Sequence, residues 1–275
     1  MIAIVLALDI AVQARSVQPG ELVVLSITLP DRRDTVRVRA FDHDVPAFAT
    51  GPAAWRALVG IDLDRKPGPY DVTVDAGGGL TATETLVVRP KSFPTRRLTV
   101  DENFVNPPAS AEARIAQEAE LLASVYAHPA HERQWTTAFV RPVPQPANSR
   151  FGTRSVFNGQ PRNAHGGADF LSPAGTPIHA PNAGRVVIAR ELYFSGNTVI
   201  IDHGQGVFSM LAHLSTIRVH EGDRLDAGAV VGQVGATGRV TGPHLHWAVR
   251  VNDARVDPLS VLQLLGEESN VVRRP

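Results

Sequence analysis

The 275-residue sequence contains no cysteine. Disulfides, thiolate nucleophiles and cysteine-based metal sites are thereby excluded, and any transition metal must be held by histidine and carboxylate. Lysine is almost missing: of 27 basic residues only Lys66 and Lys91 are lysine. The 27 basic residues are matched by 27 acidic ones, so the net charge is zero. Nucleic-acid binders usually show a basic excess, and no nucleic-acid partner is expected here. The apolar run at the start, Met1 to Leu8, is far shorter than the roughly 20 residues a membrane-spanning helix needs. No basic stretch precedes it, and Asp9 interrupts it. It is read as the remnant of an export signal whose start lies upstream, or as an intact short signal with Val12-Gln13-Ala14 as its cleavage site. A cytoplasmic strand is the plainer alternative.

What is present suffices for one large domain or two ordinary ones, since 43% of residues are apolar and 20% charged. Val23, Leu25, Ile27 and Leu29 alternate with less apolar neighbours, as do Tyr70, Val72 and Val74, and then Thr83, Thr85 and Val87. Period-2 patterns of this kind predict half-buried strands. Pro19-Gly20, Pro30-Asp31, Pro67-Gly68-Pro69 and Gly77-Gly78-Gly79 punctuate them as turns. Short strands at this spacing suggest an immunoglobulin-like β-sandwich over residues 10–90. Asp42, His43 and Asp44 are read as a solvated turn, not a metal site.

Residues 91–147 read as a linker rich in proline. They carry one helix over 109–127, where Ile115, Ala119, Leu122 and Tyr126 recur at helical spacing. The helix is expected to pack the two flanking domains together. From Asn148 onward, glycines separate short strands, with almost no helix before Pro258–Leu265. The chain as a whole is read as mainly β: a possible signal remnant (1–9), the sandwich, a short helical connector, a C-terminal antiparallel β domain (148–265) and a tail (266–275).

The ten histidines require sorting, because a lone histidine is usually structural. His165 and Asp169 stand four apart, an even spacing that puts both side chains on one face of an extended chain. The intervening Gly166 and Gly167 permit close backbone approach. His244 and His246 share one face of a strand whose other face carries Leu245, Trp247, Val249 and Val251. Two imidazoles side by side are poorly explained by packing, and better by a metal or by shared acid–base work. His213 shares a face with Val207, Ser209 and Leu211 by alternation. His203, in Asp202-His203-Gly204, reads as a turn residue. His179, His220, His128 and His131 read as structural or surface residues.

Together these residues resemble the M23 family of LytM/lysostaphin-type zinc metallopeptidases. The resemblance runs from about Phe151 to Pro258. It rests on His165-Gly166-Gly167-Ala168-Asp169, Asp202-His203-Gly204, His213-Leu214-Ser215, Gly235-Ala236-Thr237-Gly238 and Gly242-Pro243-His244-Leu245-His246, in order and at the expected spacing. Many relatives carry tyrosine two residues before the histidine equivalent to His213, where this chain has Leu211. The resemblance implies one Zn2+ per chain, held by His165, Asp169 and His246, with His213 and His244 as catalytic histidines. Three protein ligands leave an open zinc position for a water whose pKa falls to roughly 7. No His-Glu-x-x-His helix supplies a glutamate base, so His213 and His244 are expected to orient or deprotonate that water and to stabilise an oxyanion.

The family also implies peptidoglycan as substrate, cut in its peptide cross-links or stem peptides, and hence an exported protein of the periplasm or cell envelope. Glycyl–glycine and D-alanyl–diaminopimelate bonds both remain open. An alternative is a non-catalytic LytM-type regulator that activates another cell-wall hydrolase; a separate expectation is that residues 109–127 or the linker block the groove and make the enzyme latent. Other divalent ions could replace zinc on such ligands. The segment from Gly222-Asp223 to Gly238 is similar to biotinyl and lipoyl carriers, but those need a modified lysine and none follows Lys91.

Overall fold

A computed structural model describes residues 7–99, 105–148 and 151–266. The proposed signal at Met1 to Leu8 falls mostly outside the described residues, as does the tail beyond Gly266. The fold is mainly β, as the sequence indicates.

Eight strands form the N-terminal half: β1 (Asp9–Ala14), β2 (Leu22–Thr28), β3 (Arg37–Ala40), β4 (His43–Val45), β5 (Ala47–Gly51), β6 (Ala54–Gly60), β7 (Gly68–Asp75) and β8 (Thr81–Val88). They make two antiparallel sheets, ordered β1-β2-β6-β5 and β4-β3-β7-β8. With β1 to β8 as strands A, B, C, C′, D, E, F and G, this is the ABED/C′CFG order of immunoglobulin-like sandwiches. Val72 and Val74 point inward between exposed Asp71, Thr73 and Asp75, and meet Val23, Leu25 and Ile27 from the opposite sheet. Asp42 and His43 lie at the β3–β4 turn, where Phe41 and Asp42 take φ of 52° and 70°.

Strand β2 departs from the half-buried expectation. Leu22 and Val24, on its outward face, are as buried as Val23 and Leu25. With Leu58 of β6 they belong to the core of the C-terminal domain. The second domain covers that face, which the strand's own alternation does not record.

The C-terminal half holds β12 (Gly167–Phe170), β13 (Pro177–His179), β14 (Gly184–Leu192), β15 (Gly196–Gly204), β16 (Val207–Ile217), β17 (Arg224–Leu225), β18 (Val230–Val234), β19 (Leu245–Val251) and β20 (Ala254–Val256). Their path runs β12-β19-β16-β15-β14-β17, with β18 on β13 and β16, and β20 on β19. Between the halves, β9 (Thr95–Leu98) runs parallel to β10 (Arg154–Phe157), which pairs in turn with β11 (Gln160–Pro161).

Helix α1 (Ala109–Ala127) lays Leu121, Leu122, Val125 and Tyr126 against Ile188, Ile200 and Phe208 of the C-terminal sheet. It therefore buries its stripe on one domain and does not pack the two domains together as its position in sequence suggests. Helix α2 (Pro258–Leu265) begins at Asp257, whose carboxylate accepts from the Leu259 amide, with proline at the first helical position. Among the described residues no helix is long and apolar enough to cross a membrane.

The segment that reads as linker is built into the C-terminal core. Trp135, Phe139 and Val143 are buried there. The Phe139 amide donates to Leu265 O, Val140 to Pro181 O, and His179 to Pro142 O. The sandwich docks by polar and packing contacts together. Arg255 pairs with Asp62 and Asp64, and Arg15 bridges Glu21 to Asp257. Burial alone would raise the Asp62 carboxyl, but hydrogen bonds from Arg255 outweigh it and hold it at about 2. At Gly60 a Cβ would lie 2.6 Å from Val251 O, so only glycine permits the approach of β6.

Candidate active site

Strand β19 is the frame of the site. Leu245, Trp247, Val249 and Val251 enter the core, which leaves His246, Ala248 and Arg250 on the other face. Strand β12 pairs antiparallel to it, with Asp169 directly opposite His246. His165 precedes β12 and is anchored by its amide to Thr153 O and by its carbonyl to the Gly152 amide. The result is a triangle of three donor atoms. His165 Nε2 and His246 Nδ1 are 3.0 Å apart, and each is 3.0 Å from Asp169 Oδ1.

Gly167 permits this closeness. A Cβ there would lie 2.6 Å from Trp247 O and 2.7 Å from His246 Cε1 and Nε2. Gly166 is different: its nearest neighbour is Arg255 Cδ at 3.8 Å. Of the two glycines, one is needed for space. Burial by itself would raise the Asp169 carboxyl, but hydrogen bonds from His165 and His246 hold it well below the usual carboxylate range. Burial pushes the His246 imidazole down.

His213 arrives by an irregularity. Strict alternation would send it the same way as Leu211, which is buried opposite Trp247. Between Leu211 and Leu214 the β15–β16 register shifts, and His213 takes φ of 68°. Such a bulge re-aims a side chain. The ring of His213 comes within 4.9 Å of that of His244 and 5.9 Å of that of His246. Its Nδ1 donates to Thr237 O at 2.9 Å. His244 is held likewise, with Nδ1 donating to Gly242 O at 2.9 Å and Nε2 standing 3.8 Å from Asp169 Oδ1. A carbonyl can only accept, so Nδ1 carries the proton in both rings and Nε2 is left as the basic nitrogen. Burial, with the neighbouring His246 and His244, pushes the His213 imidazole down to about 3.

All five residues singled out in the sequence therefore meet in one cluster. Among the described residues, His165, Asp169 and His246 are the one group of three that could hold a metal ion. Two imidazole nitrogens and a carboxylate oxygen are the donor set of many catalytic zinc sites. Ligand atoms about 2.1 Å from a tetrahedral ion lie roughly 3.4 Å apart, so a triangle of 3.0 Å sides needs little adjustment. The donors fit the metal.

The other histidines stay apart. His203 lies within β15 and not in a turn. It is fully buried, hydrogen-bonded to Ala183 O and Ser209 Oγ, and burial holds it at about 4. His179 meets Gly228 O and His128 meets Ser124 O, while exposed His220 faces Asp223. Sequence reasoning missed the loop that orients His213. At Gly196 a Cβ would lie 2.3 Å from Thr237 C, and at Gly238 one would lie 2.4 Å from Gly196 N. These two glycines, at φ of 62° and 76°, interlock the 193–197 and 236–240 loops, and their presence was the available signal.

The profile described as Peptidase family M23 matches residues 163–258. The DD-carboxypeptidase/endopeptidase Mpg of Neisseria meningitidis is 43% identical over 97 residues, 35% of this chain and 22% of that protein. The peptidoglycan DD-endopeptidase ShyA of Vibrio cholerae is 41% identical over 95 residues, 34% of this chain and 22% of that protein. The matches thus span about a fifth of the length of these curated relatives. A crystal structure described as a peptidase M23 from Pseudomonas aeruginosa is 35% identical with a TM-score of 0.73. That similarity covers 90% of this chain and 96% of the other. With near-complete coverage by that structure, and the five-residue cluster inside the matched stretch, the chain belongs to peptidase family M23.

Proposed function

We propose that the protein is a zinc-dependent endopeptidase that hydrolyses peptide cross-links or stem peptides of bacterial peptidoglycan, in the periplasm or cell envelope. The observation that carries this reading is the donor triangle with two further histidines beside it, each presenting Nε2. His165, Asp169 and His246 would hold one zinc ion, which when bound supplies a Lewis acid and lowers the pKa of water.

The chain's own groups do the rest. His213 and His244 offer unprotonated Nε2 atoms to accept the proton of the attacking water. Once protonated, either becomes a hydrogen-bond donor to the charge that develops on the scissile carbonyl oxygen. Their fixed Nδ1 contacts mean that neither ring reorients during this exchange. The DD-endopeptidase and glycyl-glycine endopeptidase names of relatives support the reaction class.

The test pairs two measurements on the wild type, His165→Ala and His246→Ala. Near-stoichiometric zinc in the wild type, with new peptide termini appearing in purified cross-linked peptidoglycan, is expected. Both should be lost in the two variants. Bound zinc without any cleavage would refute the enzymatic reading.

A further inference from the structure

Two of the three metal-ligand candidates sit on paired strands and one does not. Asp169 and His246 face each other across the β12–β19 ladder. His165 precedes β12 and takes its backbone position from residues 151–153. Its amide donates to Thr153 O at 2.9 Å, and its carbonyl accepts from the Gly152 amide at 2.7 Å. Residues 151–153 lie outside the stretch 163–258 that carries the family match. What fixes them bears directly on where His165 stands.

They are fixed from the N-terminal half. Phe151 is buried against Gly20 of the sandwich, where a Cβ would lie 3.0 Å from Phe151 Cζ and run into Cε1. Gly152 lies against Phe93 of the connector, and a Cβ there would run into the Phe93 ring. The Phe93 and Phe151 rings meet edge to face, with centroids 6.4 Å apart. Lys91 Nζ stands 5.2 Å from the centre of the Phe93 ring and pairs at 2.7 Å with buried Glu21, the neighbour of Gly20. The Arg154 amide then donates to Pro94 O, where the β9–β10 pairing begins. Gly20 is itself held from both domains: its amide donates to Ile61 O, and its carbonyl accepts from the Asp257 amide, both at 2.8 Å. Gly20 and Gly152 take φ of 83° and 76°, so each is suited to glycine by conformation as well as by space.

We propose that the sandwich and the connector position the metal ligand His165, with Gly20 and Phe93 clamping the 151–153 segment that carries its backbone. The N-terminal half is then part of the support of the metal site and not a spacer. Gly20 and Phe93 are positioning residues: they act on the ion through His165. Loss of such support typically costs about 10–100-fold in metal affinity. The proposal rests on the metal-site part of the peptidase reading above.

The experiment measures zinc affinity of the full chain by chelator competition, at a temperature where circular dichroism shows each variant folded. Phe93→Ala should lose about tenfold or more in affinity. Leu58→Ala is the comparison, because it thins the same domain boundary from within the C-terminal core. It should lower the melting temperature and keep wild-type affinity. His165→Ala isolates the route. Its weakened residual affinity should fall no further when Phe93→Ala is added, since contacts that act through one residue are not additive. Phe93→Leu keeps part of the bulk against Gly152 and should fall between Phe93→Ala and the wild type. It takes the place of Phe93→Ala in the same comparisons if the alanine variant does not fold. Wild-type affinity in the Phe93 variants would overturn the proposal. So would equal losses in Phe93→Ala and Leu58→Ala, or additive losses in the double variant, because either marks a general effect of stability. A wild type that binds no zinc would instead bring down the metal site itself, and this proposal with it.

Discussion

Replacing Gly167 with alanine tests whether the donor triangle depends on close strand approach. The backbone there has ordinary φ, so alanine meets no conformational penalty. The difficulty is space. The new Cβ would start 2.6 Å from Trp247 O and 2.7 Å from two atoms of the His246 ring. Ordinary contact begins near 3.4 Å, so β12 must retreat from β19 by several tenths of an ångström, or His246 must swing away. Either movement opens the 3.0 Å triangle. Overpacking of this kind costs about 1–3 kcal/mol, which lowers Tm by roughly 2–10 °C in a chain of this size. Disturbing the shell that orients a metal ligand typically weakens binding by about 10–100-fold. Gly166→Ala is the control, because its Cβ would meet only Arg255 Cδ at 3.8 Å. The assay is zinc competition against a chromophoric chelator, with thermal melts in the presence and absence of zinc. Bound zinc at 100 times its Kd adds about 2.7 kcal/mol of stability, so the Gly167→Ala melt should gain less from zinc than the control. If both alanine variants bind zinc with wild-type affinity and melt together, the spatial argument is wrong.

Two further expectations concern stability. Phe139→Ala should cost about 3–5 kcal/mol by urea denaturation, because Phe139 is 1% exposed in the C-terminal core. For the same reason, a fragment starting at Asn148 should show no cooperative melt, whereas a hydrolase with a dispensable linker would fold without it. His203 should give the protein a dependence on mild acid. Its folded value is about 4 because burial disfavours the charged ring, against about 6.5 when unfolded. Above pH 6.5 it is neutral in both states, and stability is full. As pH falls from 6.5 to 4 the unfolded chain takes up a proton that the folded one refuses, and about 3 kcal/mol is lost. His203→Gln should show a shallower fall over that window in urea melts, and an unchanged slope would refute the assignment.

Residue type and spacing singled out the site histidines and Asp169, but their division into metal ligands and catalytic groups came from the family resemblance. The expected strand covers only one member of each even-spaced pair: Asp169 lies in β12 and His246 in β19, whose register sets them opposite each other, while His165 and His244 just precede those strands. His213 was legible only in identity. Its direction depends on a bulge opposite β15 and on the Thr237 carbonyl, 24 residues away in sequence. Trp135, Phe139 and Val143 were hidden for a similar reason. They sit among prolines without periodicity, and their partners, such as Leu265 and Pro181, are distant in the chain. The span of α1 was visible in its apolar recurrence, but the surface it covers was not. A helix's stripe records that it is buried, not by what. His203 was misread as a turn residue because Gly204 follows it. The glycine serves instead to let the Glu132 carbonyl come close to the end of β15.

The sheet made by β2 and β6 is dry on both sides, with Val23 and Leu25 facing one core and Leu22, Val24 and Leu58 the other. This limits how freely the sandwich can be transplanted in recombination. Moved alone to another chain, it would carry an apolar patch around Leu22, Val24 and Leu58, together with Asp62, which would lose Arg255, and Arg15, which would lose Asp257. Such a patch invites self-association. The two halves are thus bound by inheritance as well as by contact: a lineage that parts them must first repaint one face of a strand that already spends its other face on its own fold.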